Sequence, residues 1–180
     1  MALVLFEESR DFINSNHTDH QLTEHVELRL LWQRLAARDV AMTIYHFCKS
    51  VEIVNSSAKL CPTWKLALGE RPFTKAFSLI QLNFSEFAAM RHAVAHSADK
   101  SLTPKKHADN AFSGSFASAG IVATDVENLV ITDSLIGCEF ISTFDGNVLS
   151  YDISRQTLAC LNSVKQEVFQ AFKLASLWQD

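Results

Sequence analysis

The strongest structural pattern of this chain lies in residues 73–97, which read FTKAFSLIQLNFSEFAAMRHAVAHS. Apolar side chains recur there three and four residues apart, the spacing of the buried face of an α-helix. These apolar positions are Phe73, Phe77, Ile80, Phe84, Phe87 and Val94. Arg91 takes the next place in the series, where a leucine would be expected. Burying a guanidinium without partners costs several kcal/mol, a large part of the stability of a small domain, so this arginine indicates a site or a buried ion pair.

Helical spacing recurs on both sides of this stretch. Residues 3–14 predict a short helix, and residues 18–21 have the form of a capping box that opens a long second helix. Apolar residues continue at helical spacing to Val54, with neither Pro nor Gly before Pro62. A second apolar flank on this helix predicts a neighbouring element or a second subunit. That flank consists of Leu28, Leu31, Trp32 and Leu35.

Beyond residue 97 the pattern changes. The small residues between 98 and 122 predict an irregular segment, whose part from 113 to 120 would be a loop. Short β-rich segments follow at 129–132, 138–144 and 147–153, and Asp145-Gly146 between the last two is a strong hairpin signal. From Ser154 a closing helix is predicted. The sequence therefore predicts a mainly α fold, an antiparallel helical bundle with a small β-hairpin before the C-terminal helix.

Composition narrows the class of protein. The chain has 180 residues, of which 48% are hydrophobic and 20% charged, which is typical of one soluble globular domain. Its formal net charge of −4 argues against broad nonspecific binding to nucleic acid. The four cysteines form no Cys-x-x-Cys pair, and no apolar run is long enough for a membrane span. We expect a cytoplasmic protein with free thiols, no membrane contact and, in the absence of any cofactor-binding motif, no cofactor.

Arg91 and His96 form the candidate chemical pair. A guanidinium offers a planar fork of donors that fits a phosphate, and an imidazole transfers protons near neutral pH. Together they suit cleavage of a phosphodiester, with no metal required. Residues five apart on an ideal helix point about 140° away from each other. Either His96, near the end of the helix, swings away from the ideal direction, or two copies of the pair face each other in a symmetric dimer, which is the alternative we favour.

The string from Arg91 to Ser97, with a polar residue after the arginine and a histidine five places on, resembles the Arg-x4–6-His motif of the HEPN superfamily (higher eukaryotes and prokaryotes nucleotide-binding). This resemblance implies a single HEPN-like domain over residues 1–180 and a homodimer. It implies a metal-independent endoribonuclease that acts on RNA in a toxin–antitoxin or phage-defence system, with an antitoxin or other partner protein. Arg91 and His96 would be the catalytic pair, with His92 in the variable polar position.

Two other interpretations stay open at this stage. In the first, the protein is a non-catalytic interaction or dimerisation module, in which Arg91 pairs with a carboxylate and His96 bonds to the last carbonyls of its helix. In the second, His92 and His96 share a helix face as metal ligands. The third ligand would then come from an acidic residue or from His17, His20, His25 or His46. A basic cluster that follows the motif could bind phosphates. It consists of Lys100, Lys105, Lys106 and His107.

Overall fold

The computed structural model describes residues 2–15, 23–100, 102–118 and 121–176. The helices are α1 (Ala2–Ser15), α2 (Thr23–Leu60), α3 (Pro62–Leu68), α4 (Thr74–Phe84), α5 (Phe87–Ala95), α6 (Pro104–Asn110) and α7 (Arg155–Ser176). The strands are β1 (Phe112–Ser118), β2 (Ile121–Leu129), β3 (Ser134–Ile136), β4 (Glu139–Phe144) and β5 (Asn147–Asp152). A 3-10 turn, Ser97–Asp99, follows α5. The predicted capping box at residues 18–21 lies outside the described residues.

The prediction of a mainly α helical bundle is wrong. The described chain contains a two-stranded antiparallel sheet, β1-β2, and a three-stranded antiparallel sheet in the order β3-β4-β5, so the protein is a mixed α and β structure. The error lies in residues 112–129, which were expected to be largely irregular. Small serine and glycine side chains conceal the alternation in β1, where half-buried Phe112, Gly114 and Phe116 alternate with exposed residues.

The chain divides into two compact units. Unit 1 comprises Met1–Thr43 and Ala88–Ser154, and unit 2 comprises Ile44–Phe87 and Arg155–Asp180. The single HEPN-like domain over residues 1–180 stays a prediction.

Unit 2 is helical in its described part. α4 and α3 both pack on α7, the helix predicted from Ser154 onward. Phe172 of α7 lies edge-on to Trp64 at 5.0 Å between ring centroids and 5.5 Å from the ring of Phe73. Burial of these large apolar surfaces stabilises the unit at roughly 25 cal/mol per Å². Its buried core includes Ile44, Cys48, Val51, Phe73, Ala76, Ile80, Phe84 and Val164.

Unit 1 combines helices with the two sheets. The predicted hairpin is confirmed as β4-β5, and Asp145 and Gly146 both have positive φ, 49° and 72°, as a tight two-residue hairpin turn requires. β4 is the central strand of its sheet, and its four consecutive buried residues, Phe140 to Thr143, show that both faces of the strand are covered. The buried apolar residues of the unit include Phe6, Ala36, Ala37, Ala41, Met90, Ala93, Val94, Phe140, Ile141, Leu149, Tyr151 and Ile153.

The β1-β2 hairpin is interrupted by bulges. Its register shifts between Phe112 and Gly114 and again between Gly114 and Phe116. On the opposite strand, Asp125 and Asn128 adopt left-handed φ values of 53° and 55°. Their backbone N–H groups donate to serine hydroxyls of β1 at 3.3 and 3.2 Å. Two side-chain bonds thus replace ladder bonds where the strands lose register.

The single helix predicted over residues 73–97 is two helices. α4 ends at Phe84 and α5 begins at Phe87. In α5 the buried side chains are Met90, Ala93 and Val94. The buried face therefore contains Val94, as predicted, but Met90 takes the buried position that was expected for Arg91. Met90, 1% exposed, lies at the centre of this buried face, and Arg91 is half-buried at its edge. A guanidinium at that edge keeps part of its hydration, which lowers the cost of its burial.

Candidate functional site at the end of α5

The end of α5 sets the positions of the motif residues. Arg91 and His92 lie within the helix, and the His96 backbone N–H donates to the His92 carbonyl at 3.1 Å, so the helical hydrogen-bond pattern extends to residue 96. His96 itself has φ −111° and ψ 21° and begins the 3-10 turn. His92 and His96 are exposed, whereas Arg91 is half-buried.

Three aromatic rings lie nearly parallel at this surface. The rings of His92 and His96 have centroids 6.2 Å apart and planes 12° apart. The ring of His92 is also nearly parallel to that of Phe144, the last residue of β4, with centroids 5.9 Å apart and planes 15° apart. The structure therefore brings the two predicted histidines together on one helix face, as their spacing of four residues predicts. Phe144, 52 residues beyond His92, is a contact that spacing along the sequence does not reveal.

His96 also faces a carboxylate. Its Nδ1 lies 3.6 Å from Oδ2 of Asp99, and both side chains are about half exposed, at 57% and 48%. The Asp99 backbone N–H donates to the His96 carbonyl at 3.0 Å, which ties the two residues together. At 3.6 Å this contact is an ion-pair distance rather than a hydrogen bond. The carboxylate favours an imidazole with a proton on Nδ1, which leaves the other ring nitrogen available for proton transfer. Asp99 was not among the predicted site residues, although its offset of three residues from His96 was a usable signal.

The predicted basic cluster does not form as a unit. Lys106 lies 3.9 Å from the same Asp99 oxygen and is 49% exposed, and Lys105 is exposed. Lys100 is instead 2% exposed, and its Nζ donates to Oγ of Ser142 at 2.6 Å. Burial lowers the pKa of the Lys100 ammonium to about 8, against a smaller opposing effect of the Asp133 charge. Lys100 is therefore an internal residue, and its inclusion in a surface phosphate-binding cluster was wrong.

Arg91 stands one residue before His92 and five before His96. Because the helical hydrogen bonds continue to residue 96, the two ends of the motif leave the helix in directions roughly 140° apart. The two histidines are brought together in one chain, whereas Arg91 projects from a different part of the helix.

The described residues do not supply the set of ligands that the metal interpretation requires. Among the residues whose side chains the structure describes, no group of three or more His, Cys, Asp or Glu residues could hold a metal ion. Of the third ligands considered, His17, His20 and the side chain of His25 lie outside the described residues, and His46 is on the part of α2 that belongs to unit 2.

No helix in the described ranges is both long and apolar enough to cross a membrane. Comparisons of the chain with protein-family models, with characterised proteins and with solved structures found no match.

Proposed function

We propose that this chain is a metal-independent endoribonuclease whose active site lies at the end of α5. The observation that carries the proposal is the exposed His92 and His96 pair with Asp99 at Nδ1 of His96. Two adjacent imidazoles supply the two proton transfers that cleavage of RNA requires. The resemblance of residues 91–97 to the HEPN motif supports the same activity.

The reaction follows from these groups. His96, oriented by Asp99, accepts the proton of a ribose 2′-hydroxyl, and the 2′-oxygen attacks the adjacent phosphorus. Protonated His92 donates a proton to the departing 5′-oxygen, so the products are a 2′,3′-cyclic phosphate and a free 5′-hydroxyl. Because Arg91 leaves α5 roughly 140° away from His96, we assign to Arg91 of a second copy of the chain the stabilisation of the negative charge that develops on the phosphate. Lys106 attracts the RNA backbone.

The assay for this proposal uses labelled single-stranded RNA in the presence of EDTA. We expect cleavage that EDTA does not affect, with 2′,3′-cyclic phosphate ends, and no cleavage where the ribose is replaced by 2′-deoxyribose. His96→Ala and His92→Ala should each lower the rate by about 10²- to 10⁴-fold, the usual contribution of a general acid or base. Arg91→Ala should lower it by about 10²- to 10³-fold.

His46→Ala is the matched control, because His46 is an exposed histidine of unit 2. It should leave cleavage unchanged. The proposal is wrong if the wild-type protein cleaves no RNA, if His96→Ala retains full activity, or if EDTA abolishes cleavage and zinc restores it. In the last case loss of the zinc-dependent activity in His92→Ala would support a metal site.

The first half of α2 supports a homodimer, or a non-catalytic interaction module as the second candidate function. Four large apolar side chains, spaced as one helix face, are about half exposed there. They are Leu28 at 50%, Leu31 at 53%, Trp32 at 46% and Leu35 at 47%. We propose that a second copy of the chain covers this face. If the histidine variants cleave RNA as well as the wild type or no RNA is cut at all, while this face still mediates assembly, the interaction module is the better account.

An RNA substrate implies a cytoplasmic location, and we propose a toxin–antitoxin or phage-defence setting. Because uncontrolled RNA cleavage stops growth, such an enzyme requires a partner such as an antitoxin. Expression of the wild-type protein should then inhibit growth, and His96→Ala should relieve the inhibition. Inhibition that persists in His96→Ala would contradict this setting.

A further inference from the structure

Two polar anchors hold the segment that carries His96. At the first anchor, Arg38 of α2 donates from its guanidinium to the Val94 carbonyl at 3.2 Å. Carbonyls in the last turn of a helix have no intrahelical partner, so this bond satisfies one of them two residues before His96. The Nε of Arg38 lies 3.3 Å from Oδ2 of Asp133, whose side chain is only 10% exposed.

The second anchor is Lys100, which directly follows the 3-10 turn. Its Nζ donates to Oγ of Ser142, a residue of β4 that is fully buried. The Ser142 hydroxyl in turn donates to the Ile131 carbonyl at 3.4 Å. Thr143, the next residue of β4, accepts at its Oγ1 from the Ile131 N–H at 3.0 Å and donates its own N–H to the Ile131 carbonyl at 2.9 Å. The loop before β3 is thus fixed on β4.

Asp133 connects the two anchors. It belongs to the same loop as Ile131, it pairs with Arg38, and its charge acts on the ammonium of Lys100. Val94 and Lys100 are therefore both fixed to one polar network, in which Arg38 is half-buried and Asp133 and Ser142 are buried. They stand on either side of His96 and Asp99. The same strand, β4, ends at Phe144, which lies against His92.

A polar network of this kind stabilises a fold less effectively than apolar packing does. Removing an ammonium from water costs several kcal/mol, and apolar side chains of similar size often stabilise a core as well or better. Directional bonds from charged groups do, however, fix positions that apolar packing leaves adjustable. A buried lysine beside an active-site segment is therefore best explained by the geometry it imposes.

We propose that Arg38, Asp133, Lys100 and Ser142 form a polar clamp that positions His96 against Asp99 in the active site. The bonds described above establish the geometry of this clamp. Its catalytic meaning rests on the proposed ribonuclease function. The clamp residues are positioning residues, since the network connects them to His96 through the backbone of residues 94–100.

The test measures His96 first in the absence of RNA. In the wild type we expect the neutral His96 ring to be held as the tautomer with its proton on Nδ1, facing Asp99, as reported by histidine ring ¹⁵N shifts. Lys100→Met should return the ring to a mixture of tautomers. It should also raise amide hydrogen exchange in residues 94–100 by about tenfold or more. Ser142→Ala, a smaller change, should have the same effects to a lesser degree and covers the case that Lys100→Met fails to fold. Lys165→Met, at an exposed position of α7, is the control.

Unchanged tautomer and exchange in both clamp variants would overturn the proposal, as would faster exchange spread equally over β4 and β5. Cleavage assays separate this result from the fate of the proposed function. If the chain is a ribonuclease, kcat of the clamp variants should fall about tenfold while KM changes less than twofold. If the wild type cuts no RNA but His96 and its segment respond as expected, the clamp stands and the ribonuclease proposal fails.

Discussion

Replacing Lys100 with methionine should change the way stability depends on pH. The Lys100 ammonium is buried, and its pKa falls from 10.5 to about 8 on folding. Between these two pH values the unfolded chain binds a proton that the folded protein does not, so the free energy of unfolding of the wild type rises with pH. A difference of about 2.5 pH units at 1.36 kcal/mol each corresponds to roughly 3 kcal/mol. Lys100→Met lacks this group, so its stability relative to the wild type should fall by that amount between pH 7 and pH 10.5.

The measurement is urea unfolding of both proteins across this range, followed by circular dichroism under reducing conditions. All other groups titrate in both proteins, so the difference between their unfolding free energies isolates Lys100. At pH 7 the variant should be as stable as the wild type or more stable, because it escapes the cost of the buried charge. Lys165→Met should show a difference that is constant with pH. A constant difference for Lys100→Met as well would refute the argument that this ammonium is desolvated.

Three further outcomes are expected. Burial raises the pKa of the Cys48 thiol to about 12. Iodoacetamide at pH 8 should therefore alkylate the three other cysteines of the folded protein and label Cys48 only after urea is added. Labelling of Cys48 in the native protein would contradict its burial. Gly146→Ala should lower the free energy of unfolding by about 1 kcal/mol. The cost comes from the backbone, because φ is 72° whereas the new Cβ would meet only the Ala111 carbonyl oxygen, at 3.9 Å. Asp145→Gly, the control, should cost less, and equal costs would contradict the turn geometry. Trp32→Glu should weaken a homodimer by at least about 2 kcal/mol, roughly 30-fold in Kd, in sedimentation equilibrium; an unchanged Kd would exclude this face of α2 as the interface.

Local signals predicted some elements well. The β4-β5 hairpin followed from Asp145-Gly146 because an aspartate and a glycine accept the left-handed conformations that the turn needs. The long helix α2 followed from apolar spacing without an interrupting Pro or Gly. In both cases the information lies within a few residues of the element it specifies.

The missed elements depend on residues distant in the sequence. β1 is a strand because it pairs with β2, for example through Gly114 and Val126. The serines and glycines of β1 form no local pattern that indicates this pairing. Similarly, α5 buries Met90 rather than the adjacent Arg91, because a guanidinium is cheaper at the edge of a buried face than at its centre. That preference appears only once the core around Met90 is formed.

The candidate site likewise combines features that follow from local sequence with features that depend on distant residues. The proximity of His92 and His96 follows from their spacing, whereas the stacking of Phe144 on His92 arises from tertiary packing. Lys100 was expected at the surface with its neighbouring lysines. Its burial depends on an acceptor 42 residues away, the Ser142 hydroxyl, which sequence spacing alone does not identify.

The bulges of the β1-β2 hairpin bear on solubility. In the part of the chain that the structure describes, no further strand pairs with either outer edge of the β1-β2 sheet. A flat edge of this kind is a template onto which another chain can add to start an aggregate. In β2 the left-handed residues Asp125 and Asn128, only three positions apart, interrupt any straight run of edge N–H and C=O groups. An incoming strand could match only a few residues before losing register. The same bulges that break the register of this hairpin therefore also oppose the addition of another strand at its edge.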